Sequence, residues 1–189
     1  KLVTEQNLTC LSGEAPGIAN QFRYLWNIAG YPLYINTQVQ YYPEAKAAFR
    51  AMKEALEKAE HFIFMEYFIV ENGESFRELE EILVRKAAEG VEVRLLYDDF
   101  GSVATISRSY ARQLRQKGIR CHAFNPAYPF LNLFMNHRDH RKIMVIDGKV
   151  GYTGGFNLSD EYFGLRFPYG LWKDTGIRLE GDAVQSMTA

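Results

Sequence analysis

Three features of this 189-residue chain predict an α/β fold, a mixed β-sheet flanked by helices. From Tyr31 to Phe124, strand-like and helix-like patterns alternate, the signature of parallel pairs joined by crossover helices. Residues 61–70 form a nearly continuous apolar run, as expected of a strand covered on both faces. Around Asp147-Gly148, two short segments rich in β-formers face each other as a hairpin over residues 141–153, adding antiparallel members.

Each element follows from local chemistry. Residues 1–30 have no clean period: Ser12-Gly13 and Pro16-Gly17 mark turns, and 19–28 read as a short helix. They are expected to form an amino-terminal extension to one domain spanning 31–189. Residues 34–41 are rich in strand formers. Pro43 opens a helix in which Ala45, Phe49, Met52, Leu56 and Ala59 make one apolar stripe. A second amphipathic helix spans 74–88 and stops before Gly90. Residues 91–97 read as a strand, 105–117 as a helix ended by Gly118, 119–124 as a strand, and 174–179 as a last, antiparallel strand.

Composition narrows the function. Twenty-two Lys and Arg against 23 Asp and Glu leave a net charge of −1, so no strong field exists to hold nucleic acid, and no nucleic-acid partner is expected. Two cysteines are too few for a disulfide framework; Cys121 reads as a reduced core thiol. No run of eighteen apolar residues occurs. The chain opens with Lys1 and reads as an excised piece of a longer protein. Four scattered histidines give no metal-ligand spacing, so no metal or cofactor is expected. His137-Arg138-Asp139 and Asp99-Phe100-Gly101 mimic kinase signatures, but in reverse order and without a glycine-rich loop.

The chemistry centres on His140-Arg141-Lys142-Ile143-Met144-Val145-Ile146-Asp147. In an alternating strand His140 and Lys142 project onto one face, which Met144 and Ile146 continue. A nucleophile or general acid then stands beside a cation, as attack on an anionic phosphate requires. Beyond the hairpin, Gly154-Gly155-Phe156-Asn157 makes a small-residue bend in which backbone N–H groups and an amide can approach an anion. Lys142, Asn157, Gly154 and Gly155 are therefore the candidate phosphate-binding groups. The period of two puts Asp147 on the face opposite His140, where a structural role in the hairpin is expected.

The spacing His-x-Lys-x4-Asp-x6-Gly-Gly-x-Asn resembles the signature of the phospholipase D superfamily. Tyr97-Asp98-Asp99-Phe100-Gly101-Ser102, Asn136 to His140, Asp160-Glu161-Tyr162 and residues 167–175 resemble the amino-terminal catalytic half of a bacterial cardiolipin synthase. The resemblance implies a phospholipase D-like fold and a catalytic motif of His140, Lys142 and Asp147, joined by Asp174, in which Asp147 has a structural role. It also implies a phosphohistidine intermediate and an active site built from two such motifs. One motif is present, so the second is expected from a missing part of the chain or from a homodimer. Asp174 matches the carboxylate that holds the histidine of the other half. The implied activity is phosphatidyl transfer at a bacterial membrane surface, joining two phosphatidylglycerols and releasing glycerol.

Further candidates carry two readings each. Asp98 and Asp99 contact the acceptor alcohol or pair with Arg138 and Arg141. His137 and Arg138 bind an anionic headgroup or are solvated loop residues. Glu66, an acid inside an apolar strand, needs a partner. Phe130, Leu133 and Phe134 contact lipid or fold over the domain as a core plug. Two other functions remain: a one-motif homodimeric phosphodiesterase or nuclease, and a non-catalytic lipid-binding fragment.

Overall fold

A computed structural model describes residues 2–126 and 136–189, with side chains from residue 4 onward. Phe130, Leu133 and Phe134 lie outside the described residues.

Seven strands form one mixed sheet in the order β1-β7-β6-β5-β2-β3-β4. They are β1 (Thr37–Tyr42), β2 (Phe62–Tyr67), β3 (Glu92–Asp98), β4 (Arg120–Phe124), β5 (Lys142–Ile146), β6 (Val150–Gly154) and β7 (Gly176–Gly181). The pairs β2–β3 and β3–β4 are parallel, and every other pair is antiparallel. The helices are α1 (Leu2–Glu14), α2 (Pro16–Ala29), α3 (Ala45–Glu57), α4 (Glu74–Ala88), α5 (Asp99–Ser102), α6 (Tyr110–Gln116) and α7 (Val184–Thr188).

The core lies between one sheet face and the helices α3, α4 and α6. Ile63, Met65 and Tyr67 point into it from β2, opposite Ile146, Met144 and Lys142 of β5, while Met52, Leu56, Leu79, Leu83 and Leu114 close it from the helices. Each of these apolar side chains contributes about 1.5–3 kcal/mol by leaving water. The expected two-faced burial of residues 61–70 is not what forms: Phe62, Phe64 and Glu66 on the reverse face are only half-buried. On that side α7 packs at Gly151, where Met187 Sδ stands 2.7 Å from where a Cβ would be.

Two helix boundaries depart from expectation. Residues 2–29 are two helices, because Pro16 occupies the first turn of α2, where its missing N–H leaves no bond unmade, and Gly13 lies inside α1. The helix expected over 105–117 begins only at Tyr110. Thr105 Oγ1 donates to Val70 O at 2.6 Å and its N–H to Ser102 O, so tertiary and turn bonds replace helical ones there.

Candidate active site

Because β5 runs antiparallel to β2 and β3, the start of β5 and the ends of β2 and β3 meet at one end of the sheet. The end of β6 and the start of β7 arrive at the same end. Loops carrying most of the candidate residues therefore converge here, at the carboxyl ends of the parallel strands.

Asp98, completely buried at the end of β3, organises the approach to the motif. Its carboxylate accepts from Gly101 N at 3.0 Å, Asp139 N at 2.9 Å and Arg138 Nη1 at 3.2 Å. Of the two readings for Asp98, the structure shows pairing with Arg138, whose Nη2 also donates to Asn125 O. The chain is thereby held on both sides of Arg138 as it enters His140. His137 is exposed beside it, with its carbonyl accepting from Asn125 Nδ2 at 2.9 Å, and Asp99 opens α5.

Phe68 is a contact residue that the sequence reading left unassigned. Its ring meets the exposed His140 imidazole edge-on, 4.7 Å between centroids, and Lys142 Nζ stands 5.4 Å from the same centroid. Its carbonyl accepts from Ser102 Oγ, and that carbonyl would lie 2.4 Å from a Cβ at Gly101. A glycine is thus required at 101 by close approach, and Asp-Asp-Phe-Gly was the available signal. Next in the chain, Ile69 N donates to Asn157 Oδ1 at 3.0 Å. Phe68-Ile69 connects the histidine, the lysine and the asparagine of the motif.

Lys142 is 6% exposed, opposite Tyr67, and donates to His140 O at 2.7 Å. Burial draws its ammonium below the usual lysine range, while the charges of Asp174 and Asp139 oppose that shift. The buried Asn157 amide also donates from Nδ2 to Tyr162 OH at 2.9 Å, leaving its second N–H as a further donor.

Asp174 sits where the last loop enters β7. Its carbonyl accepts from Ala45 N at the start of α3, and its Oδ1 accepts from the adjacent Thr175 N at 2.7 Å. The glycine bend owes its composition to this segment. A Cβ on Gly155 would lie 2.3 Å from Asp174 Oδ1, and one on Gly154 2.5 Å from Thr175 O. The N–H of Gly155, expected to face phosphate, instead donates to Thr175 O. That expectation is corrected: residues 174–175 press against the bend and take the donor. Among the described residues, no carboxylate hydrogen-bonds the His140 imidazole, although Asp174 faces Lys142 electrostatically.

Asp147 belongs to the other end of β5. With φ at +53°, it turns its carboxylate to accept from Glu60 N, His61 N and Phe62 N at 2.8–2.9 Å. Burial alone would raise its pKa, but these three donors hold it below the usual range. Grouped with the catalytic residues through its motif, Asp147 instead has bonds of the structural kind expected of it, and the five residues of β5 alone place about 16 Å of backbone between it and His140. Glu66 lies on the reverse face, opposite Ile143, with Oε1 2.6 Å from Arg141 Nη2. Burial and the neighbouring Asp139 carboxyl push it up to about 7, against the pull of Arg141.

Solved structures of the same fold include a phospholipase D family member, Nuc, from Salmonella typhimurium, with a TM-score of 0.57 at 18% identity. That match covers 80% of this chain and 88% of the other. NucT from Helicobacter pylori has a TM-score of 0.56 at 12% identity, covering 80% and 89%. The fold is therefore of the phospholipase D type. A family model described as cardiolipin synthase, PLD-like domain, matches residues 52–175, and the chain belongs to that family. A cardiolipin synthase of Halalkalibacterium halodurans is 42% identical over 167 residues, 88% of this chain and 33% of that protein. One from Oceanobacillus iheyensis is 42% identical over 152 residues, covering 80% and 32%. The chain spans about a third of the length of these relatives.

Proposed function

We propose that this chain supplies one motif half of a phosphatidyltransferase that makes cardiolipin from two phosphatidylglycerols. The carrying observation is a pair of complementary deficits. Among the described residues, the His140 imidazole is packed on Phe68 beside Lys142 without an orienting carboxylate, and the Asp174 carboxylate accepts from its neighbour's N–H alone. A second motif half, from further chain or from a second copy, would match both.

In this reading the imidazole nitrogen of His140, or of its counterpart, attacks phosphorus and the bond to the departing glycerol oxygen breaks. The second imidazole, as imidazolium, gives that oxygen its proton. The hydroxyl of a second phosphatidylglycerol then returns a proton to it while its oxygen displaces the histidine. Lys142 and the remaining Asn157 N–H stabilise the charge gathering on the phosphoryl oxygens. Asp174 orients the histidine of the opposing half, as the carboxylate of a catalytic triad does. Arg138 supports the headgroup side of the site, and a bacterial membrane surface is where the substrate is met.

The test is mass spectrometry of lipids from phosphatidylglycerol vesicles incubated with the native-length protein and its His140→Ala variant. Cardiolipin and glycerol are expected from the first and neither from the second. No cardiolipin from the parent would end the proposal.

A one-motif homodimeric phosphodiesterase is the second reading, because the Nuc and NucT chains are matched over 88–89% of their length by this single half. The near-zero net charge argues for a lipid rather than a nucleic-acid substrate in either case.

A further inference from the structure

Residues 164–173 are exposed without interruption, although five of the ten are large apolar side chains. Tyr169 is 77% exposed, Leu171 91%, Phe167 57%, Trp172 42% and Leu165 37%. The segment is not an arbitrary loop. Gly170, at φ +82°, donates to Phe167 O, and this tight turn thrusts Tyr169 outward. Trp172 packs on Tyr162, 5.1 Å between centroids, and on Tyr169 at 6.0 Å. Tyr162 OH receives the Asn157 amide, and the strap runs directly into Asp174. Across the site, Phe100 and Val103 are also more than half exposed, with Arg138 against the Phe100 ring. Exposed apolar side chains thus flank the histidine and lysine on two sides.

We propose that the strap 164–173 seats the site on an anionic phospholipid bilayer, with Tyr169 and Leu171 entering the acyl boundary and Trp172 at headgroup depth. The inference rests on the phosphatidyl-transfer reading and adds where the lipid is held. The polar layer on each side of a bilayer is only about 5–7 Å thick. An imidazole that reaches the phosphorus of a bilayer lipid must bring the protein surface around it to the acyl region. That surface should be apolar with amphipathic rings at its edge, which is the composition of the strap. The strap holds Arg166 and Lys173 and no acidic residue. Arg166 is paired with Glu71, which leaves the exposed Lys173 to meet anionic headgroups.

Two tryptophans are present, so a Trp26→Phe background isolates Trp172. With phosphatidylglycerol vesicles brominated on the upper acyl carbons, Trp172 fluorescence is expected to be quenched. A Tyr169→Asp, Leu171→Asp double variant should bind the same vesicles at least about ten-fold more weakly. Val39→Asp, at an exposed apolar position on β1 away from the strap, should bind as the parent does. Unquenched Trp172, or vesicle binding unchanged by the double substitution, would overturn the proposal. So would a double variant that loses a protein–protein contact in lipid-free sedimentation, since the strap would then cover another protein half. Binding is read without turnover. Absence of cardiolipin product would therefore remove the transfer chemistry and leave the strap, and strap-independent binding would do the reverse.

Discussion

The two ends of β5 carry residues of the same motif and have opposite characters. At the carboxyl end, the carboxylate of Asp147 is bonded to three consecutive backbone N–H groups across the sheet. At the amino end, His140 has an aromatic edge and a neighbouring ammonium, and among the described residues the nearby Asp174 carboxylate accepts from the next residue's N–H alone. Groups whose bonding is complete hold a fold together, whereas groups left incomplete beside a fully braced backbone are available to a substrate or a partner. Motif membership alone does not distinguish the two; bonding does.

Exchanging the deletions should separate the ends most strongly. His140→Ala is expected to lower turnover by about 10³-fold or more, while an exposed side chain should leave the melting temperature within about 2 °C. Asp147→Asn should do the converse. Loss of part of a three-donor network around a charged acceptor costs about 2 kcal/mol, or about 4–8 °C for a chain of this size, with turnover of the folded protein nearly unchanged. The pH dependence adds a sign. Because Asp147 ionises more easily when folded, its contribution is present above the unfolded value near 3.8 and disappears as pH falls through the lower folded one. Parent and variant should therefore converge in acid. Equal effects of the two substitutions on turnover would break the contrast.

The motif strand, its hairpin and α4 were legible because local pattern decides them: β-formers on both sides of the Asp147-Gly148 turn, and an apolar stripe stopped before Gly90 in α4. Asp98 was legible as a candidate but its role was not, since the Asp139 N–H it accepts lies 41 residues away. Phe68 was invisible for the same reason, as its contacts to His140 and to the Gly101 backbone arise only when β2, β3 and β5 are aligned. Within residues 2–29 the helix expected over 19–28 is part of α2, whereas α1 and the first turn of α2 are not legible, because Ser12-Gly13 and Pro16-Gly17 signal turns where Pro16 merely starts a helix.

The glycine bend sharpens the comparison at intermediate size. A methyl on Gly154 meets the Thr175 carbonyl, a backbone group immediately before β7 that accepts from Gly155 N, so Gly154→Ala should destabilise the fold. A methyl on Gly155 meets the Asp174 carboxylate, which can swing aside. Gly155→Ala should then keep the melting temperature close to the parent's and lower turnover by about 10²-fold, the effect of displacing a catalytic group by about 1 Å. Full activity in folded Gly155→Ala would show that the position of Asp174 does not matter to the reaction.

The smallest effect is expected behind the reactive end, at Glu66. Its carboxyl, with Asp139 and Arg141, lies on the reverse face of the sheet and is raised to about 7, first by burial. Between the unfolded value of 4.5 and that value, the folded protein keeps a proton that the unfolded chain has released. Stability must therefore fall as pH rises through this window and level off above it. Glu66 is partly exposed, so solvent reduces the effect to about 1 kcal/mol, or about 2–4 °C between pH 5 and pH 8. In Glu66→Gln the slope should vanish while Asp139 keeps Arg141. A slope that persists in the variant would assign it to another group and leave Glu66 with no part in it beyond its contacts to Arg141 and Asp139 behind β5.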